Sequence, residues 1–322
     1  MTKYVIKRVL LMFLTLFIIV SISFFLIRAL KPAKPETQDL NQQKAIEDRW
    51  EALGYNEPIL SQYGIYLKNI ATKWDFGTSW KVKMNSDAWD LLIGRLPPTI
   101  IVNLYSLLFS IPVGIGLGVL AAIKKNKWQD TVISTGVIIF ISVPSYVYAF
   151  LVQYFMYFKW GWFPQATIYS LADAGGSYFT WKMFYSMIMP ILALSFGEIA
   201  GLCRFTRAEL TETLTSDYML LARTKGLTRR QATTRHALKN AMVPILPMII
   251  SSFIGILGGS FIIEQIFAIP GVGNLYIQAV NLLDFDVFML DTIFYTFVGL
   301  LAGIVVDISY GFIDPRIRMG ER

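Results

Sequence analysis

Long runs without charged residues constrain the fold of this chain more than any other feature of its sequence. The first run, residues 9–27, is long enough to cross ~30 Å of hydrocarbon as a helix that rises ~1.5 Å per residue. Its apolar core exceeds that of an ordinary signal peptide, so we expect a retained membrane helix. Further runs lie between residues 95 and 124 and between residues 130 and 159, and at 183–197, 240–263 and 292–306. The sequence therefore predicts an all-α integral membrane protein with six transmembrane helices.

Two of these runs are long enough to cross the membrane only if the helix continues through an acidic residue. The fourth run has to include Glu198 and extend to Cys203, and the sixth has to include Asp307 and extend to Ile313. A carboxylate at the centre of a membrane helix costs about 2.5 to 3.5 kcal/mol on insertion scales, so both acids are candidates for an inner pathway. Each lies toward one end of its helix, where a hydrogen bond between helices is the more ordinary role.

The basic residues form four groups that all fall on one side of the predicted membrane. These groups are Lys3, Lys7 and Arg8; Lys124, Lys125 and Lys127; eight residues from Arg204 to Lys239; and Arg316, Arg318 and Arg322. Because basic loops stay in the cytoplasm, we expect both termini on the cytoplasmic side of a bacterial cell membrane. Residues 31–95 should then lie outside the cell. The same rule explains the net charge of +7 without nucleic-acid binding.

The composition excludes several other classes of protein. With 55% hydrophobic residues, the chain is too apolar for one soluble globular domain. A single cysteine, Cys203, excludes an internal disulfide framework and a cysteine-based zinc site. No glycine-rich phosphate loop occurs, and His236 is the only histidine. We therefore expect a chain that is not an enzyme and that binds no cofactor or metal itself.

The polar segment after the first run, residues 31–95, should fold into a small extracytoplasmic unit. Ile46 and Trp50 belong to the apolar face of one helix, which Gly54 should end. Pro58 suits the first turn of a second helix.

A basic stretch between the fourth and fifth runs predicts a helical hairpin. A short helix should begin near Asp217 and end at Gly226, because glycine readily takes the left-handed conformation past a helix end. Thr228 and Gln231 have the spacing of a capping box that starts a second helix. The apolar stripe of the first helix should comprise Leu214, Tyr218, Leu221 and Ala222. Such a hairpin has the shape to enter a groove on a soluble partner.

The hairpin resembles the Glu-Ala-Ala loop of type I ABC importer permeases. Ala222, Gly226 and Leu238 occupy the positions of the second alanine, the glycine and the leucine of that loop. The rest of the loop sequence is similar to that of oligopeptide and dipeptide permeases. The matching residues are Asp217, Tyr218, Arg223, Lys225, Leu227 and His236. In that family the loop docks in a cleft of a separate ATP-binding subunit, so the resemblance implies an ATPase-coupling loop here.

The resemblance extends over nearly the whole chain. Residues 75–79 and the Arg95-Leu96-Pro97 triplet followed by Thr99 resemble the segments that lead into the second helix of the same permeases. The family's external turn and short re-entrant helix are matched by Glu264, Pro270, Gly271 and Gly273. Residues 314–318 are close to the family's C-terminal motif. Two stretches depart from it, because residues 31–35 replace Gly-Asp-Pro and residues 283–286 replace Arg-Asp-Tyr-Pro.

The resemblance implies a transmembrane subunit of an ATP-driven peptide importer that works by alternating access. The implied partners are a second, similar permease, two ATPase subunits that hold ATP and Mg, an extracytoplasmic peptide-binding protein, the peptide and the lipid bilayer. The implied division is a helix at 1–30, an extracytoplasmic segment at 31–95, a permease domain of type I fold at 96–314 with its coupling loop at 204–240, and a cytoplasmic tail at 315–322. Two alternatives stay open, namely an ion-gradient-driven secondary transporter that uses Glu198 and Asp307, and an ABC permease for glutathione or nickel complexes.

Overall fold

A computed structural model describes residues 2–30, 34 and 36–313 of the chain. The C-terminal motif at 314–318 and the tail at 315–322 lie outside the described residues. So does the stretch at 31–35, except for Lys34.

Helices dominate the described part of the chain. They are α1 (Thr2–Ala29), α2 (Leu40–Ala52), α3 (Ile59–Lys73), α4 (Ala88–Ile123), α5 (Trp128–Ser142), α6 (Ser145–Val152), α7 (Trp181–Leu214), α8 (Asp217–Thr224), α9 (Arg229–Ala232), α10 (Leu238–Gly255), α11 (Phe261–Ile266), α12 (Val272–Leu282) and α13 (Phe285–Ile313). Helix α6 continues as a π-helix over Gln153–Lys159, and a π-helical turn over Thr233–Ala237 joins α9 to α10. A 3₁₀ turn, Ile256–Gly258, follows α10. Two short antiparallel strands, β1 (Thr78–Ser79) and β2 (Ser86–Asp87), pair with Thr78 opposite Asp87.

The described residues include five single helices that are long and apolar enough to cross a membrane, and up to six spans if one bent pair counts as a span. The bent pair corresponds to the third predicted run. There, α5 and α6 meet at an angle of 103°. Val143 is extended and Pro144 precedes the first turn of α6. Proline disfavours the helical conformation in the residue that precedes it. This explains the break in a run that the apolar pattern alone predicted as continuous.

Helices α4 and α7 share the most extensive contact between two helices of the described fold. A side chain at Gly114 would lie 3.0 Å from the carbonyl oxygen of Ile199, and one at Gly118 would lie 2.7 Å from that of Cys203. Both glycines therefore let the two backbones approach, as the small-residue spacing predicts. The same spacing recurs at Gly255 and Gly259, but a side chain at Gly255 would meet nothing within 4 Å, whereas one at Gly259 would lie 2.9 Å from Thr99 Cγ2 of α4.

A small folded unit precedes α4, as the sequence predicts. We call α2, α3 and the two strands the cap. Its core contains Ile46, Trp50 and Trp80. Gly54 ends the first helix with a φ of +74°, and Pro58 precedes the second. Burial raises the pKa of the Asp75 carboxyl, but the hydrogen bonds that it accepts from the Arg49 guanidinium and from a backbone N–H outweigh burial, so the net pKa is lowered.

Two aspartates at the start of α13 hold the cap. Asp284 accepts hydrogen bonds from the Ser79 hydroxyl at 2.7 Å and from the backbone N–H groups of residues 80–82. Asp286 accepts from the Thr78 N–H at 3.1 Å and the Tyr55 hydroxyl at 2.7 Å. The last apolar run of the sequence, at 292–306, predicts these acids in a loop before the last span. Instead, α13 begins at Phe285, so Asp286 lies within the helix.

Contacts at both ends of α1 establish how the bundle is arranged. Near the end of α1, Arg28 pairs with Asp286, and near its start Arg8 pairs with Asp307, so α1 and α13 run antiparallel. The cap lies at the Arg28 end. Helix α4 leads away from the cap and ends at a cluster that includes Ala122 and residues of α8 and α9. The chain therefore places the cap and the α8–α9 segment at opposite ends of the bundle.

Candidate functional site

The α8–α9 segment forms the helical hairpin that the sequence predicts, and we call it the hairpin. Helix α8 begins at Asp217, and Gly226 follows it with a φ of +88°. The Leu227 N–H donates to the Ala222 carbonyl at 3.3 Å, which closes the turn. A side chain at Gly226 would meet nothing within 4 Å, so only the left-handed backbone favours glycine there.

The second helix of the hairpin starts with the predicted capping box. The Gln231 N–H donates to the Thr228 hydroxyl oxygen at 3.3 Å, and the Thr228 N–H donates to the Gln231 side-chain oxygen at 3.0 Å. From Arg229 the helical segment continues to Gly258 and passes into α10. The second helix of the hairpin is therefore continuous with a membrane-spanning helix.

The inner face of the hairpin consists of small residues and one methionine. Met219, Ala222, Ala232 and Ala237 pack in one buried cluster with Leu210 of α7. The predicted stripe on α8 is wrong in part. Ala222 is buried and Leu214 packs against the cluster, but Tyr218 and Leu221 point outward, and Met219 occupies the buried position. Spacing alone did not reveal which side of this short helix faces α7.

The outer face of the hairpin carries apolar side chains within a basic rim. Tyr218 is 38% exposed and Leu221 is 55% exposed, beside the exposed Leu220. Other members of the predicted coupling loop that are exposed are Asp217, Arg223, Lys225, Gly226 and His236, while Leu227 and Leu238 are half-buried. The outward side chains of α8 thus form a small apolar patch beside the basic residues Arg223 and Lys225.

The predicted external turn is a buried network around Glu264, which is 2% exposed. The Thr99 hydroxyl donates to Glu264 Oε1 at 2.8 Å, and the Asn274 N–H donates to Oε2 at 2.9 Å. Burial raises the pKa of this carboxyl, although the Thr99 hydrogen bond acts in the opposite direction. Gly271 and Gly273 lie against the carboxyl group, where a side chain would collide with it, and Pro270 immediately precedes them. The network joins α4, α11 and α12, so these residues build the turn.

Glu198 lines a cleft between α7, α10 and α13, with a volume of about 400 Å³. The Ser252 hydroxyl donates to Glu198 Oε1 at 2.7 Å. Asp307, the other predicted pathway residue, does not line this cleft. Its Oδ2 atom lies 3.0 Å from Nη2 of Arg8, although the preceding residue, Val306, is part of the cleft wall. The structure thus places the two acids apart.

Sequence reasoning missed an ion pair at the hairpin end of the bundle. Asp130 of α5 accepts hydrogen bonds from Nε and Nη2 of Arg207 in α7, at 2.5 and 2.9 Å. Asp130 also accepts from the Asn126 N–H. Both residues lie close to other charged residues in the sequence. No local signal therefore distinguished this pair from ordinary surface charges.

Comparison with known proteins assigns this chain to a family of membrane transport proteins. The family described as the binding-protein-dependent transport system inner membrane component matches residues 114–319, and the N-terminal membrane component of the same systems matches residues 1–103. The chain belongs to this family. As a type I ABC permease, it has its hairpin and its cleft within the part that the first match covers.

Curated relatives cover the full length of this permease. It is similar to the dipeptide transport system permease protein DppB of Lactococcus lactis subsp. cremoris, with 34% identity over 99% of this chain and 100% of the relative. DppB of Bacillus subtilis is 32% identical, over 100% of both chains. The oligopeptide transport system permease protein OppB of Escherichia coli is 35% identical, over 99% of this chain and 100% of the relative.

Proposed function

We propose that the chain is the transmembrane permease subunit of an ATP-driven peptide importer and forms the translocation pathway with a second, similar permease. The observation that carries this function is the full-length similarity to dipeptide and oligopeptide permeases. The exposed apolar face of the hairpin supports it, because a permease has to offer a docking surface to its energy source.

The hairpin is the surface that docks on a separate ATPase subunit. Tyr218, Leu220 and Leu221 are the outward apolar side chains of α8, and they enter a groove on that subunit. ATP and Mg belong to the ATPase pair, and two such subunits serve the two permeases. Because the second hairpin helix continues into α10, closure of the ATPases tilts α10 and changes the width of the cleft beside Glu198.

The hairpin end of the bundle faces the cytoplasm and the cap end faces outward, with both termini inside. The basic residues support this orientation, since eight of them lie from Arg204 to Lys239. The cap then lies on the side from which an extracytoplasmic binding protein delivers peptide. A secondary carrier that uses Glu198 and Asp307 together receives no support, because Asp307 is paired with Arg8.

Substitution of one outward leucine tests the docking role. Leu221→Glu should release the ATPase from the purified complex and abolish ATP-driven peptide uptake in proteoliposomes, because a charge replaces the side chain that enters the groove. Leu60→Glu is the control, since Leu60 is an exposed leucine on the cap, at 73% against 55% for Leu221, at the opposite end of the bundle. Full ATPase binding and uptake by Leu221→Glu would contradict the docking role.

A further inference from the structure

The cleft beside Glu198 has polar side chains in its wall. Its wall is formed by residues of α7, α10 and α13, namely Glu198, Gly201, Leu202, Pro247, Met248, Ser251, Ser252 and Val306. A carboxyl group and two hydroxyl groups at membrane depth are costly against lipid, so this cleft requires a polar occupant or a wet pathway.

Glu198 has no arginine partner among the described residues, whereas three other acids of the long helices do. Asp130, Asp286 and Asp307 each contact an arginine of this chain. Among the described side chains, only that of Ser252 hydrogen bonds to the Glu198 carboxyl. Asp291 also lacks an arginine, but it is 0% exposed and lines none of the described cavities, so a ligand cannot reach it. Glu198 is thus an accessible carboxylate with room for a cationic partner.

The backbone beside this carboxylate is uncovered. Side chains added at Gly197 and Gly201 of α7, or at Gly255 of α10, would meet nothing within 4 Å. Gly114 of α4 differs, because a side chain there would press into α7. None of these three glycines is in tight contact within this chain, and Gly201 is itself part of the cleft wall, so its backbone leaves room there for an extended peptide.

We propose that Glu198 binds the protonated amino terminus of the peptide during translocation, an inference that rests on the proposed import function. A primary ammonium group supplies three donors, and the carboxylate oxygens of Glu198 with the nearby Ser251 hydroxyl supply acceptors around it. The α-amino group of a peptide has a pKa near 7.7 to 8.0, so it is mostly charged at neutral pH. Ser252 holds the carboxylate toward the cleft as a positioning residue.

The test compares a peptide with its N-acetylated form in the complete reconstituted transporter. The binding protein is saturated with each peptide in turn, so its own affinity does not set the initial uptake rate. The parent should import the free-amine form roughly 10-fold faster, the scale of one charge-assisted hydrogen bond. Glu198→Gln should remove this preference by slowing the free-amine peptide only, whereas Glu198→Asp should keep most of it. Glu57→Gln, on the exposed surface of the cap, is the control and should keep all of it.

Contrary outcomes separate this inference from the function on which it rests. Equal slowing of both peptides by Glu198→Gln would assign Glu198 a structural role or a partner on the second permease, and would overturn the proposal. A parent without preference, or a Glu198→Gln variant that keeps it, would overturn it too. If the parent complex imports neither peptide with ATP, the peptide-import function itself fails.

A second measurement does not depend on turnover. In a Cys203→Ser, Ser251→Cys background, a peptide with a thiol-reactive group on its first residue should label the new cysteine several-fold faster than one labelled on its last residue. Addition of Glu198→Gln should make the two rates equal. Equal rates while Glu198 is still present would overturn the proposal.

Discussion

Gly226→Val isolates the conformational contribution of the turn between the two hairpin helices. The residue has a φ of +88°, and a Cβ atom there would meet nothing within 4 Å, so this atom has room. The penalty comes from forcing a β-branched residue into a left-handed conformation, about 1 to 2 kcal/mol or more. If the turn relaxes instead, α8 changes its angle to α9. We expect normal membrane insertion, weakened ATPase docking and lost transport.

The assay is co-purification of the ATPase with each variant, together with ATP hydrolysis stimulated by the loaded binding protein. Gly226→Asn is the matched control, because asparagine tolerates the left-handed region better than valine and should keep more of the coupling. Gln231→Ala removes only one half of the capping box and should be milder still, at about 1 kcal/mol or less. If Gly226→Val binds the ATPase and couples hydrolysis to uptake as well as the parent, the turn does not set the docking angle.

Three further outcomes are expected. In a Cys203→Ser background, cysteines at Ser61 and Gln231 should react with an impermeant reagent from opposite sides of the membrane, since the cap and the hairpin lie at opposite ends; labelling from one side would refute the topology. Asp130→Asn should lower the free energy of unfolding by about 1.5 to 3 kcal/mol, because Arg207 loses its charged partner, and a thermal transition in detergent unchanged from the parent would contradict this. Uptake should require ATP and the ATPase subunits, whereas uptake by this chain alone under a proton gradient would favour a secondary carrier.

Local rules explain why much of the candidate site could be predicted from the sequence. The turn at Gly226 and the capping box at Thr228 depend on residues no more than five positions apart, so the chain specifies them wherever the hairpin lies. The break before Pro144 follows an equally local rule, because proline restricts the residue before it. Residues 217 to 224 formed a helix as predicted, yet the side of that helix that is buried depended on α7.

What the sequence by itself determined is therefore the set of membrane-spanning helices, the folded cap and the hairpin, because apolar run length, helix caps and the sign of φ are properties of short segments. Only the tertiary structure decided which charges meet. Asp284 and Asp286 bind a cap more than 200 residues away, and Asp307 pairs with Arg8 while Glu198 bonds to Ser252. Glu198 and Asp307 look alike in the sequence, since each interrupts an apolar run. The packing of α1 beside α13 supplies an arginine to one of them, and the cleft between α7 and α10 leaves the other accessible.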